Sequence, residues 1–148
     1  MSDVDARRRW MSVLARAAPA EVERAWEALG ERPAYRLLRG PEIGSVMVRG
    51  RAGGTGAPFS LGEMTVTRCS VALEGAAVGH AYVQGRSARH AERAAVFDAL
   101  LQDPERRPAI EAAVVGPLEE SREAARRRTA GRVAATRVEF FTMVRGEE

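Results

Sequence analysis

The hydrophobic period of this chain changes twice, and those changes confine the fold more tightly than any motif. Over the first thirty residues, apolar side chains recur at helical spacing: Trp10, Val13, Leu14 and Ala17, then Val22, Ala25, Trp26 and Leu29. Asp3 or Asp5 can cap the first run, Pro19 suits the first turn of the second, and Gly30 is a natural stop. From Tyr35 to Gln84 the period becomes two. The runs YRLLR, GSVMVRGR, MTVTRCSVAL and VGHAYVQ read as strands separated by glycine-containing turns. In the third run Thr65, Thr67, Cys69, Val71 and Leu73 share one face, and Met64, Val66, Arg68 and Ser70 share the other. The segment EGAA, Glu74 to Ala77, leads to the fourth run as a hairpin turn. The connections are short and hold no helix, so the strands pair antiparallel.

From Ser87, an N-cap, the helical period returns with His90, Ala94, Phe97 and Leu101 on one face. The stretch QDPERRP interrupts it. A short helix is expected over Ala109 to Val115, and a longer one from Pro117 through LEESREAARRRTAGRVAAT. That helix has a thin apolar face and is weakened by about 1 kcal/mol at Gly131. The chain ends in RVEFFTMVRGEE, where Val138, Phe140, Thr142 and Val144 alternate with Phe141 and Met143, leaving both sides apolar. Such a segment either inserts as a strand or docks on another chain, so Val138, Phe140, Phe141, Met143 and Val144 are candidate interface residues. Left unpaired, it is expected to drive aggregation or self-association of the isolated chain. The expectation is therefore one α+β domain over residues 1–148. It comprises a helical hairpin over 1–30, an antiparallel sheet of about four strands over 35–85, helices over 87–136 and an extended apolar tail over 137–148.

Composition excludes several function classes. With 45% hydrophobic residues in 148, the chain buries a genuine core. No apolar run approaches the roughly 20 residues of a membrane span, and no apolar stretch of a secretory signal follows MSDVDARRRW. The single Cys69 cannot form an internal disulfide. Together these point to a cytoplasmic protein with no membrane association. All 23 basic residues are arginine, but 20 acids interleave with them and the net charge is only +3. Without a basic stripe or an aromatic stacking pattern, nucleic acid is not the expected partner.

The chemistry-bearing candidates are few. The loop RAGGTG holds three glycines in four positions between strands. It lacks the Gly-Lys-Ser/Thr and following helix of a P-loop, and it lacks the helix of a Rossmann fingerprint. It reads as a strand connection, yet Arg51, Gly53, Gly54, Thr55 and Gly56, beside Arg49, also permit close backbone approach to an anionic ligand such as phosphate. The stretch GRSAR departs from a nucleophile elbow at its fifth residue, which leaves Ser87 as a helix cap. His80 and His90 lie ten apart, without cysteine or carboxylate spacing for zinc, and no metal is expected. His90 sits on an otherwise apolar helix face, where a packing role is the default, although Arg86, Arg89, Glu92 and Arg93 surround it in sequence. Cys69 reads as core filler. No catalytic dyad emerges from these residues alone.

Several stretches together resemble the PhnG family, a subunit of the bacterial carbon–phosphorus lyase system. They are RRWMSVLA (Arg8 to Ala15), RAGGTG (Arg51 to Gly56), TVTRCSVAL (Thr65 to Leu73), YVQGR with HAERAAVFDAL (Tyr82 to Leu100), and RVEFFTMVRG (Arg137 to Gly146). The resemblance spans nearly the whole chain, with departures in Glu21 to Arg36 and Glu105 to Thr129. It implies a core assembly with PhnH-, PhnI- and PhnJ-like subunits. With a PhnL-like ATPase, that assembly makes α-D-ribose 1-methylphosphonate 5-triphosphate from ATP and methylphosphonate, with release of adenine, in phosphonate catabolism. ATP is then a substrate of the complex, and this chain holds no cofactor of its own. Displacing adenine requires neutralising triphosphate charge and protonating the leaving base. The loop arginines are candidates for the first need and His90 for the second, with Arg86 a further candidate catalytic residue beside it. The alternatives are a structural or scaffold subunit without catalytic residues, and an independent domain that binds an anionic ligand.

Overall fold

The computed structural model describes residues 1–75 and 77–145, with side chains described through residue 136. Helix α1 spans Asp3–Arg16 and α2 spans Pro19–Ala28 with its proline in the first turn. The cap of α1 is Ser2, whose hydroxyl accepts from the Asp5 N–H at 3.2 Å. Asp3 and Asp5, expected as caps, instead occupy the first turn, where carboxylates complement the helix dipole.

Three strands follow: β1 Tyr35–Arg51, β2 Pro58–Leu73 and β3 Val78–Gln84, antiparallel and in the order β1-β2-β3. The expected count of four is corrected to three because YRLLR and GSVMVRGR are one strand. Gly40 and Pro41 do not turn the chain. Register shifts between Leu37 and Arg39 and between Arg39 and Glu42 absorb extra residues of β1, so the glycine and proline sit in bulges.

Helix α3, Ala88–Leu101, is capped by Ser87 as the sequence predicts. Helix α4, Arg107–Ile110, runs through a π-helical turn, Glu111–Val115, into α5, Gly116–Arg145. The wide turn closes on a Gly116 N–H to Glu111 carbonyl bond, immediately before Pro117, whose missing N–H and ring would clash with a regular helix. The extended tail expected over 137–148, and its insertion as a strand, are corrected over 137–145, where α5 continues to Arg145; residues 146–148 lie outside the described residues. A short run that is apolar on both sides does not discriminate between periods, and extending a formed helix costs far less than starting one. The side chains of Val138, Phe140, Phe141, Met143 and Val144 lie outside the described residues.

The core is layered. Thr67, Cys69, Val71, Ala81 and Val83 of the sheet are buried on one face, and α3 packs there. Gly79 allows the contact, since a Cβ on it would stand 1.9 Å from the Ala95 carbonyl oxygen. On its other side α3 meets α1 and α2 through Trp10, Leu14, Val22 and Trp26, with Trp26 edge-on to Phe97 at 6.0 Å between centroids. Each large apolar side chain sealed here contributes roughly 1.5–3 kcal/mol. Strand β3 pairs only with Val66 to Ala72 of β2. Beyond Val66, β1 and β2 continue alone as a two-stranded arm, which at about 3.3 Å per residue projects roughly 25 Å. Helix α5 likewise leaves the body: from Ala125 to Thr136 its side chains are exposed.

Candidate functional site

The glycine loop closes the tip of the arm. Ala52–Gly54 make one 3₁₀ turn, with Gly53 at φ 62° and Gly54 at φ 80°, both in the left-handed region. The Gly56 N–H donates to the Ala52 carbonyl at 3.0 Å, and a Cβ on Gly56 would meet that oxygen at 2.9 Å. The glycines thus serve the tight turn itself. Arg51 pairs with Pro58 in the last rung, and it, Thr55 and Arg49 are exposed.

His90 and Arg86 stand near the base of the arm, about its full length from the loop, so the fold does not bring the two candidate groups together. Arg86 is exposed in the β3–α3 turn. His90 is only 3% exposed, in the first turn of α3. Its Nε2–H donates to the Leu14 carbonyl at 2.7 Å, which leaves Nδ1 bare, buried and without a partner. Burial pushes the His90 pKa below its ordinary value, and the Leu14 carbonyl only partly opposes this. The neutral imidazole is therefore the stable form. Cys69 is buried in the sheet, its Sγ 3.4 Å from the Arg39 carbonyl and its thiol pushed up to about 11 by burial, as suits an inert packing residue.

The residues that organise the fold's charge are ones the sequence reading passed over. Asp98, fully buried on α3, accepts from Arg7 Nε at 3.1 Å and Nη2 at 2.8 Å, from Trp10 Nε1 at 2.8 Å and from the His80 backbone N–H at 2.9 Å. It ties α1, α3 and the edge strand β3 to one carboxylate. The only signal in the sequence is an acid inside AAVFDALL. A second brace links α2, α3 and β1: the Tyr35 hydroxyl donates to the Glu92 carboxylate, and Arg93 reaches Tyr35 at 3.3 Å and Glu23 at 3.4 Å while lying 4.3 Å over the Trp26 ring. Burial, then Glu92, raises the Tyr35 pKa.

On the sheet face away from α3, the rung partners Ser70 and His80 share a hydrogen bond of 2.8 Å at an exposed position. Beside them Glu42 joins Arg68 at 2.9 Å and Arg39 at 3.8 Å. A cleft of about 290 Å³ between α1 and β3 is lined by Met11, Leu14, Ala15, His80, Tyr82 and Ala94. It encloses neither His90 nor the glycine loop. Among the described residues no group of three or more His, Cys, Asp and Glu is placed to hold a metal ion. These hydrogen bonds and ion pairs brace α1, α2, α3 and the strands against one another.

Comparison with known proteins adds what geometry cannot. The family model described as phosphonate metabolism protein PhnG matches residues 5–146. The chain is also 47% identical over 142 residues to the alpha-D-ribose 1-methylphosphonate 5-triphosphate synthase subunit PhnG of Rhizobium meliloti (strain 1021), an alignment covering 96% of this chain and 90% of that relative.

Proposed function

The chain belongs to the PhnG family, and from that premise we propose that it is a non-autonomous subunit of a phosphonate ribosyl-5-triphosphate transferase complex. The reaction joins ATP to methylphosphonate: a phosphonate oxygen forms the new bond to C1′ of the ribose, the bond from C1′ to adenine breaks, and the departing base takes a proton. The near full-length match to a synthase subunit carries this reading. The partners are PhnH-, PhnI- and PhnJ-like subunits with a PhnL-like ATPase, and ATP and an alkylphosphonate are substrates of the assembly. The setting is cytoplasmic; among the described residues no helix is long and apolar enough to cross a membrane.

The separation of the candidate groups favours a mainly architectural role. His90 is sealed against Leu14, so in this reading it packs α1 onto α3 rather than delivering a proton to adenine. Arg51 and the glycine backbone at the arm tip are what the fold presents outward. They are the groups able to enter a site completed by another subunit and meet triphosphate there.

The test is co-expression with the PhnH-, PhnI- and PhnJ-like chains, followed by an assay, with the ATPase added, of adenine release from ATP that depends on methylphosphonate. The expected result is a complex whose activity vanishes when this chain is omitted. Equal adenine release without it sinks the proposal. In the active complex Arg51→Ala is expected to lower turnover by about tenfold or more, the scale of losing one charge-stabilising contact. An unchanged rate removes the loop from the site.

A further inference from the structure

We infer that the outer edge of β3, from His80 to Gln84, is a strand-addition site where an extended segment of a partner subunit pairs as a fourth strand beside α1. This rests on the subunit reading above and adds the kind of segment that grips the chain and the backbone groups it grips.

Backbone parity fixes what the edge offers. In an antiparallel ladder, alternate residues of an edge strand turn both N–H and C=O away from the neighbouring strand. On β3 these residues are Val78, His80, Tyr82 and Gln84. Two contacts establish the parity: Gln102 Nε2 donates to the Val78 carbonyl at 2.8 Å, and the His80 N–H donates to Asp98 at 2.9 Å. Side chains from α3 and its C-cap thus plug the first half of the edge. The second half is open. Among the described residues nothing hydrogen-bonds the His80 carbonyl, the Tyr82 N–H and carbonyl, or the Gln84 N–H. This stretch runs roughly 13 Å at the rise of a strand, room for about four paired residues.

The open half lies in a cleft. A space of about 290 Å³ runs along it, walled by the strand from His80 to Val83 and by Met11, Ser12 and Ala15 of α1. Those three α1 residues are only half-buried, so α1 already flanks the place a fourth strand would take. Apolar side chains at alternate positions of the incoming segment would pack on Met11 and Ala15. Backbone chemistry selects the occupant. A helix has spent its backbone groups internally, and a small anion answers donors alone, whereas an extended peptide answers donors and acceptors in alternation. A second copy does not fit. Pairing its β3 here would bring its own α1, which flanks that edge in the same way, onto this chain.

The decisive experiment follows assembly with the co-expressed PhnH-, PhnI- and PhnJ-like subunits, and amide hydrogen exchange with and without them. In the complex the Tyr82 and Gln84 amides should exchange about tenfold or more slowly than in the isolated chain. The His80 amide, already bonded to Asp98, should change little. Tyr82→Pro deletes an N–H that the β2–β3 ladder does not use, a position where edge strands tolerate proline. Its affinity for the partner subunits should fall by about tenfold or more. Tyr82→Thr keeps the N–H and should assemble as wild type does. Ala15→Phe fills the cleft from α1, leaves the strand untouched and should weaken assembly as Tyr82→Pro does. If Tyr82→Pro lowers the melting temperature of the isolated chain, Ala15→Phe and wild-type exchange decide. A photo-cross-linker at Ser12 should capture a partner subunit. Four results each overturn the inference while leaving the subunit reading intact: unchanged exchange at Tyr82 and Gln84 on assembly, Ala15→Phe assembling at wild-type affinity, equal losses in Tyr82→Thr and Tyr82→Pro, or capture of a second copy. If wild type itself fails to assemble, both readings fall.

Discussion

Asp98 illustrates how one residue can hold elements that share no local sequence. Its carboxylate, itself fully buried, receives two bonds from the half-exposed Arg7, one from Trp10 and one from the backbone of β3. Removing it leaves the Trp10 indole N–H and the His80 backbone N–H without their acceptor and frees the half-exposed Arg7 guanidinium. Asp98→Ala is accordingly expected to destabilise the chain by about 3–5 kcal/mol, read as a shift in urea midpoint with an unchanged slope. Loss of less than 1 kcal/mol would mean the ring of donors finds water instead. Gly79→Ala tests packing with no charge involved. Its new methyl would overlap the Ala95 carbonyl and crowd Ala99 at 2.8 Å, so a cost of about 3 kcal/mol or more is expected in the same measurement.

His90 carries the pH prediction at this scale. Its folded pKa lies below the ordinary value of 6.5. The unfolded chain therefore binds the proton first, and stability rises with pH wherever the unfolded state holds more protons. The contribution is complete above about pH 6.5 and is lost as pH falls below it toward the lower folded value. Denaturant titrations between about pH 7.5 and 5.5 should show that slope in wild type and a flatter one in His90→Gln. Equal slopes would place the titration elsewhere.

At the scale of elements, strand period was legible and strand termination was not. The alternation over Thr65 to Leu73 separated the covered face from the open one except at Val66, which is buried on the other side, because pleating forces side chains to alternate whatever the strand packs against. Gly40 and Pro41 were misleading, since the same residues serve turns and bulges, and only the partner strand decides between them. The terminal apolar run was misleading for a related reason: its alternation is compatible with a helix that arrives already formed. The arm follows from unequal strand lengths, β2 having 16 residues and β3 only 7. Hydrogen exchange in the isolated chain should therefore show two classes. The β2–β3 rungs from Val66 to Ala72 should open only with global unfolding, and the arm rungs between Ser45 and Phe59 should exchange much faster through local opening. Uniform protection along β2 would show that the arm is held by something the fold of one chain does not contain.

For the molecule as a whole, a compact three-layer body carries two outward projections, the arm and the distal half of α5. The arm carries strand rungs that β3 does not reach, and the side chains of α5 from Ala125 to Thr136 are exposed. The candidate site follows the same division. Sequence placed the glycine loop between strands and His90 on a helix face, and both placements agree with the structure. It did not show that the loop sits at the end of an arm while His90 lies behind α1.

The sequence by itself determined the class of fold, the order of its elements, the two strand faces and, through stretches spread along its length, the family. These are local or cumulative properties: periodicity, caps and motif identity persist whatever the elements pack against. Only the tertiary structure decided that two strand runs are one, that Asp98 anchors three elements, and that the loop and His90 are far apart. Each of these depends on partners distant in the chain, such as Trp10 and Asp98, 88 positions apart, and spacing along a sequence carries no record of which distant residues will meet.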